Sequence, residues 1–201
     1  FIMVNNIIKV ILLVIIIVLA YLVYESVMGP VRFNQQVEKR SNAVIQNLKD
    51  IRTAQMTYKA IHGNYMGNFD TLTDFLKTGE IPVVKIIPDP TDTTFTKTIR
   101  DTLGYIPVID SLFQGRKDFD VNNLKYVPYT NNELFEMNAG IIEKGGVDVN
   151  VFEVSSHYKV ILNGLDEQMV VNLIAAKEQI ERFPGLRVGS MTEASTDGNW
   201  E

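Results

Sequence analysis

An almost uninterrupted apolar run from Ile7 to Tyr24 restricts this chain more than any other feature of its sequence. No charged residue occurs between Val10 and Tyr24, and with its apolar flanks the run reaches the roughly 20 positions that a helix needs to cross a bilayer core. Lys9 can extend its ammonium group to one interface, and tyrosines suit the opposite headgroup layer. We therefore predict a transmembrane helix, anchored in lipid by Val10, Leu12, Ile16, Leu19, Tyr21 and Tyr24.

A cleaved secretory signal is the competing interpretation of this run. Signal peptides have a shorter apolar core, about 7–15 residues, followed by a small-residue cleavage site. No Ala-x-Ala sequence follows the run here. Length and the missing cleavage site together favour a retained anchor over residues 1–30.

The orientation of the anchor depends on two opposing rules. Counting positive charges favours a cytoplasmic C-terminal part, because Arg32, Lys39 and Arg40 outnumber Lys9 on the other flank. However, large domains cross membranes largely regardless of charge, and a short polar segment ahead of a signal anchor commonly stays in the cytoplasm. We predict a cytoplasmic N-terminus and an exported C-terminal domain.

A second helical pattern, the stalk, covers residues 31–62. Gly29 and Pro30 are expected to break or kink the helix before it continues. Apolar and semi-polar residues then recur at three- and four-residue steps along one stripe, at Val44, Leu48, Ile51, Gln55, Tyr58 and His62. The stripe predicts burial against a globular head, with Leu48, Ile51 and Tyr58 as interaction residues.

Charge is divided between the stalk and the remainder of the chain. Six basic and two acidic residues give the stalk a net charge of +4, whereas residues 63–201 carry −9 and the whole chain −5. A solvated helix face explains the stalk charge; the alternatives are contact with anionic headgroups or with the acidic head of a neighbouring copy. The acidic head disfavours binding to nucleic acid.

The head, residues 63–189, is predicted to be α+β. Asp70 is expected to cap a two-turn helix ending near Gly79, and Asp166 another that reaches about Arg182. Extended or β segments are predicted at Ile81–Ile87, Leu124–Tyr129, Leu134–Glu143, Val147–Val154, Tyr158–Leu162 and Leu186–Val188. Residues 88–98 have the composition of a loop, and residues 190–201 that of a C-terminal tail.

The order of these elements resembles the architecture of type IV pilins and type II secretion pseudopilins. The resemblance is strongest in the segment Ile51–Ala60, which is followed by Gly63-Asn64-Tyr65 and a small helix through Leu72 and Leu76. Position 5 departs from it, because Asn5 stands where pilins use a glutamate. The chain is also similar to an uncharacterised family of bacterial single-pass envelope proteins that end in Glu-Ala-Ser-Thr-Asp-Gly-Asn-Trp-Glu. Neither resemblance implies an enzymatic activity.

The common sequence motifs that indicate an enzymatic activity are absent from the sequence. There is no cysteine, and the common nucleotide-binding, hydrolase and zinc-protease motifs do not occur. His62 suits a helix end, and His157 after Ser155-Ser156 suits a turn better than a catalytic pair. We predict no catalytic residue, cofactor or metal.

Calcium is the one metal for which the sequence contains part of a binding pattern. Asp118 and Asp120 begin a calcium-loop pattern, but its closing position is Tyr129 instead of glutamate, which favours an ordinary turn. Asp89 and Asp92 add only two carboxylates in a threonine-rich loop.

The single tryptophan, Trp200, lies in the tail. A frayed terminus rarely needs so large an apolar group, so we expect Trp200 to dock into a pocket with basic rims on its own head or on a partner. An incidental residue in a disordered end is the alternative.

These observations favour a non-enzymatic single-pass subunit of a bacterial inner-membrane assembly with a periplasmic head. Its partners would be the lipid bilayer and other inner-membrane or periplasmic proteins, or copies of itself. A membrane-anchored periplasmic sensor or adaptor that binds a ligand or protein at the sheet is the alternative, and a membrane-tethered hydrolase is a third class.

Overall fold

The computed structural model describes residues 2–88, 98–116 and 119–201. The predicted α+β class is confirmed: a long apolar N-terminal helix is joined to two small antiparallel sheets and several short helices. The loop predicted over residues 88–98 falls almost wholly outside the described residues.

Helix α1 spans Ile2–His62 and is continuous for 61 residues. Pro30 lies inside it, so of the two predicted outcomes at Gly29-Pro30 the break is wrong, and the kink stays a prediction. Proline removes one helical N–H, but a single lost bond is tolerated when strong helix formers continue on both sides. The helix ends where Gly63, at φ 82°, donates its N–H to the Lys59 carbonyl.

Helix α2 spans Phe69–Thr78 and buries Leu72 and Leu76. Its N-cap is Asn68, whose Oδ1 accepts hydrogen bonds from the N–H groups of Asp70 and Thr71. The prediction that Asp70 caps this helix is therefore wrong by two positions. Asparagine caps as well as aspartate does, and the chain uses the earlier residue.

The first sheet is a two-stranded hairpin of β1, Glu80–Pro88, and β2, Thr98–Pro107, with an irregularity between Val83 and Val84. The extended segment Ile81–Ile87 is confirmed within β1. Strand β2 and helix α3, Val108–Phe113, were not predicted. Gly104 and the charged pair Arg100-Asp101 weaken the local β signal, and pairing with β1 overrides it.

The second sheet has the strand order β3-β4-β5, with β3 at Glu136–Lys144, β4 at Val147–His157 and β5 at Gly185–Gly189. All neighbours are antiparallel. The strands predicted at Leu134–Glu143, Val147–Val154 and Leu186–Val188 are confirmed, with boundaries displaced by a few residues.

Two predicted strands are wrong. Leu124–Tyr129 forms turns that follow a 3-10 helix at Val121–Asn123, and within it only Tyr126 makes a bridge, to Leu134. In place of Tyr158–Leu162 there is helix α4, Tyr158–Ile161. The apolar residues of this second segment are spaced so that a helical turn buries three of them on one side, which alternation in a strand cannot do.

Helix α5 spans Glu167–Glu178, and Asp166 caps it as predicted by accepting from the Met169 N–H. It ends four residues before the predicted limit at Arg182.

The core forms where the stalk part of α1 meets both α2 and the three-stranded sheet. Val44, Leu48, Ile51 and Ala54 are fully buried in α1. Their partners in the same cluster come from α2, β4 and β5, and include Leu72, Leu76, Phe152, Val154, Leu186 and Val188. The second half of α1 is thus the central support of the head.

The tail, residues 190–201, packs back on the sheet. Gly198 forms a bridge with Val188, the Gly189 N–H donates to the Asp197 carbonyl, and Asn199 exchanges backbone and side-chain bonds with Arg187. The alternative of a disordered end does not describe this segment.

Candidate interaction site

The N-terminal part of α1 projects from the head with its apolar surface uncovered. Every large apolar side chain from Ile8 to Tyr24 is 49–65% exposed. The helix is long and apolar enough to span a membrane, and its most apolar window has a mean hydropathy of 2.7. The residues predicted to contact lipid all lie on this exposed part: Val10, Leu12, Ile16, Leu19, Tyr21 and Tyr24.

Along the stalk, the predicted interaction residues contact the head of the same chain. Leu48 and Ile51 have no exposed surface. Tyr58 is half-buried and packs edge-on against Phe75, with ring centroids 5.0 Å apart, and against His62 at 4.3 Å. These side chains fix the head to the stalk and leave little surface for a second protein.

Two polar residues buried in the stalk are bonded to the head. The Gln55 amide pairs with the backbone of Met66: its Oε1 accepts from the N–H at 2.9 Å and its Nε2 donates to the carbonyl at 2.5 Å. Asp50 accepts a short 2.6 Å hydrogen bond from the Arg116 guanidinium. Gln55 completes the apolar stripe because its side chain carries the two groups that Met66 requires.

Several stalk cations are also bound within the chain. Arg40 donates to the carbonyls of Ile161 and Asn163, Arg52 pairs with Glu201 at 2.9 Å, and Arg32 pairs with Glu25 at 3.2 Å. Lys59 also donates to the Tyr65 hydroxyl at 3.5 Å. Four of the six positive charges of the stalk therefore form hydrogen bonds with the head, the tail or the helix itself, which neither the solvated-face nor the headgroup interpretation anticipated.

Trp200 lies against its own head, partly buried beside the core. It lines a pocket with Ser41, Tyr158, Arg182 and Arg187. Burial raises the pKa of the Tyr158 hydroxyl above its ordinary value. The hydrogen bond from Arg52 lowers the pKa of Glu201, next to the tryptophan.

His157 and Asp120, a residue of the incomplete calcium-loop pattern, both cap short helical turns. His157 Nδ1 accepts from the Lys159 N–H and caps α4. The Asp120 carboxylate accepts from the backbone of Asn122 and from the amides of Asn122 and Asn123, so it caps the 3-10 turn. Asp118, Asp89 and Asp92 lie outside the described residues. Within the described ranges, no group of three or more histidine or carboxylate side chains is arranged to hold a metal ion.

Fold and surface together define an α+β protein with one exposed apolar N-terminal helix that is compatible with a single membrane span. No protein-family model matches the sequence, and comparison with curated proteins and with solved structures found no similar protein.

Proposed function

We propose that this protein is a non-enzymatic, single-pass subunit of a bacterial cell-envelope assembly with a pilin-like or pseudopilin-like architecture. The observation that carries the proposal is that the two parts of α1 have different surroundings. This continuous helix of 61 residues is roughly 90 Å long. Its first part, the bare helix from Ile8 to Tyr24, is apolar and exposed, and its second part forms the central support of the head. Such a helix anchors the head rigidly at a fixed height above the bilayer.

The position along α1 at which the head begins supports a head that lies just outside the bilayer. Gly29 is twenty positions after Lys9, which corresponds to about 30 Å of helix and equals the thickness of a bilayer core. Met169 Cε of α5 lies 3.9 Å from where a Cβ would stand on Gly29. The head therefore begins where the hydrocarbon would end.

Exposed apolar side chains on the head supply surfaces for partners. The β1–β2 hairpin stands as a separate two-stranded sheet, and Ile86, Leu103 and Tyr105 are each more than 60% exposed. Isolated hairpins are marginally stable in water, so this one gains stability when another surface covers it. We infer that neighbouring subunits of the assembly, copies of this chain or other periplasmic proteins, cover it.

The proposed location is the bacterial inner membrane, with the N-terminus in the cytoplasm and the head in the periplasm. The size of the head supports this orientation, because large domains cross membranes largely regardless of their flanking charge.

Purification from native membranes in mild detergent tests the proposal. We expect native mass spectrometry to find masses above that of one chain, and single-cysteine variants to crosslink between subunits. The chain lacks cysteine, so Leu19→Cys on the bare helix can be compared directly with Lys144→Cys at the exposed end of β3. A protein that comes alone as a monomer and shows no crosslink from the bare helix would refute the assembly.

A periplasmic sensor or adaptor is the second candidate function. It is favoured by the pocket beside Trp200, because an assembly subunit needs no such cavity. A small molecule retained by a monomeric preparation would favour this alternative.

A further inference from the structure

A pocket of about 370 Å³ opens where five separate segments of the chain meet. Its walls come from α1, from the first residue of α4, from the end of α5, from β5 and from the tail. Pockets that bind small molecules begin at about this volume and combine apolar walls with a few polar groups. The apolar part of this lining is Ile45, Tyr158, Phe183, Leu186 and Trp200.

Positive charge predominates in the remaining lining. Lys177, Arg182 and Arg187 face one carboxylate, that of Glu181. Arg187 has a partner, because Glu153 lies 3.6 Å away. Over the described part of the chain, no carboxylate lies within 4.0 Å of the side-chain nitrogens of Lys177 or Arg182. Among the described residues, therefore, Lys177 and Arg182 have no carboxylate partner, and both can bind an anion.

The backbone turn after α5 brings these two cations to the same pocket. The Arg182 N–H donates to the Lys177 carbonyl and the Glu181 N–H to the Glu178 carbonyl, the bonding pattern of a Schellman turn. Glu181 occupies the left-handed position at φ 54°, where glycine is usual. Strained residues of this kind cluster at functional sites.

Two further donors in the lining lack an acceptor. Ser41 Oγ and Trp200 Nε1 are shielded from solvent and have no hydrogen-bond partner among the described residues. Buried polar atoms are nearly always bonded, so an orphaned atom points to a group that is missing from the site. The indole N–H can only donate and the serine hydroxyl can donate as well, so an acceptor would satisfy either group.

We propose that this pocket binds an organic carboxylate with a compact apolar or aromatic body. The carboxylate lies between Lys177 and Arg182, and the body packs against Tyr158, Phe183 and Trp200. Charge-assisted hydrogen bonds to the two cations supply the selectivity for an anion. The site is built within one chain and does not depend on whether the protein assembles.

Phenylacetate is the probe for this site, and phenethylamine is its control of similar shape and opposite charge. Trp200 is the only tryptophan, so the emission of the full chain in detergent micelles reports on the pocket directly. We expect phenylacetate to change the emission saturably and to release or absorb heat in calorimetry, and phenethylamine to do neither. Calorimetry also detects binding that leaves the indole emission unchanged.

Substitutions identify the site. We expect Lys177→Gln with Arg182→Gln to weaken phenylacetate binding at least tenfold, and Lys144→Gln, an exposed lysine on β3, to leave it unchanged. Melting curves show whether the double variant is folded; if it is not, each single substitution is measured, with a several-fold loss expected. No heat and no saturable emission change would overturn the proposal. Equal binding of the amine, or binding that persists undiminished in folded Lys177 and Arg182 variants, would overturn it too.

Discussion

Replacing Gln55 with leucine should destabilise the head strongly, although leucine fits an apolar stripe. Gln55 has no exposed surface, and its amide satisfies both the N–H and the carbonyl of Met66. Each backbone group left without a partner costs about 1–3 kcal/mol when buried. Met66 is only half-buried, so we take the lower part of that range for both groups together, roughly 2–4 kcal/mol. For a chain of this size the melting temperature should fall by about 4–16 °C.

The assay is thermal unfolding of the full chain in detergent, followed by Trp200 emission and by circular dichroism. Gln35→Leu is the matched control, because Gln35 is an exposed glutamine on the same helix, and it should shift the melting temperature by little. Equal melting temperatures for the two leucine variants would show that the Met66 backbone does not depend on Gln55.

Gln55→Glu separates loss of the donor from loss of volume. A carboxylate can accept from the Met66 N–H but cannot donate to its carbonyl, and the charge is buried. A protonated carboxyl restores the donor. Burial raises the pKa of such a group, so stability should be highest below its unfolded pKa and decline as pH rises. A deficit that does not depend on pH would argue against this account.

Three more predictions concern the stripe, the tail and the orientation. Leu48→Asp puts an unpaired charge in the core and should cost about 3 kcal/mol or more, whereas the exposed Lys49→Ala should stay within about 0.5 kcal/mol; equal urea midpoints would mean the buried face is misassigned. Glu201→Gln removes the ion pair of the tail and should lower the melting temperature of the tail region at pH 7. Because the pKa of Glu201 is lowered, that contribution is complete above its ordinary value of 4.5 and disappears on further acidification, so Trp200 emission should no longer distinguish the variant in strong acid. Lys144→Cys should react with a membrane-impermeant maleimide in intact spheroplasts, and protection until detergent is added would reverse the proposed orientation.

Patterns that depend on neighbours along the chain were predictable from the sequence. The apolar run of α1, the stripe containing Leu48 and Ile51, and the Asp166 cap of α5 each follow from the periodicity or capping preference of one segment. The strand at Val147–Val154 alternates in the same local way. Such elements keep their preferences wherever the fold places them.

Other features arose from contacts between distant segments, and local patterns could not indicate them. Tyr158–Leu162 has the composition of a strand, yet His157 caps it and the core buries it as a helix. Strand β2 exists because β1 pairs with it. In both segments tertiary packing outweighs an intrinsic preference of about 1 kcal/mol or less per residue.

The pocket beside Trp200 is the clearest case of a site that the fold alone assembled. The sequence suggested that the tryptophan docks in a basic-rimmed pocket, but it left open whether that pocket lies on this chain, and it did not single out Lys177, Arg182 or Ser41. Ser41 lies about 140 positions before Lys177 and Arg182 in the sequence, and the three meet only when α5, β5 and the tail close around α1. Side-chain chemistry can be read locally, whereas the convergence of charges and unsatisfied donors depends on long-range packing, which no short sequence pattern encodes.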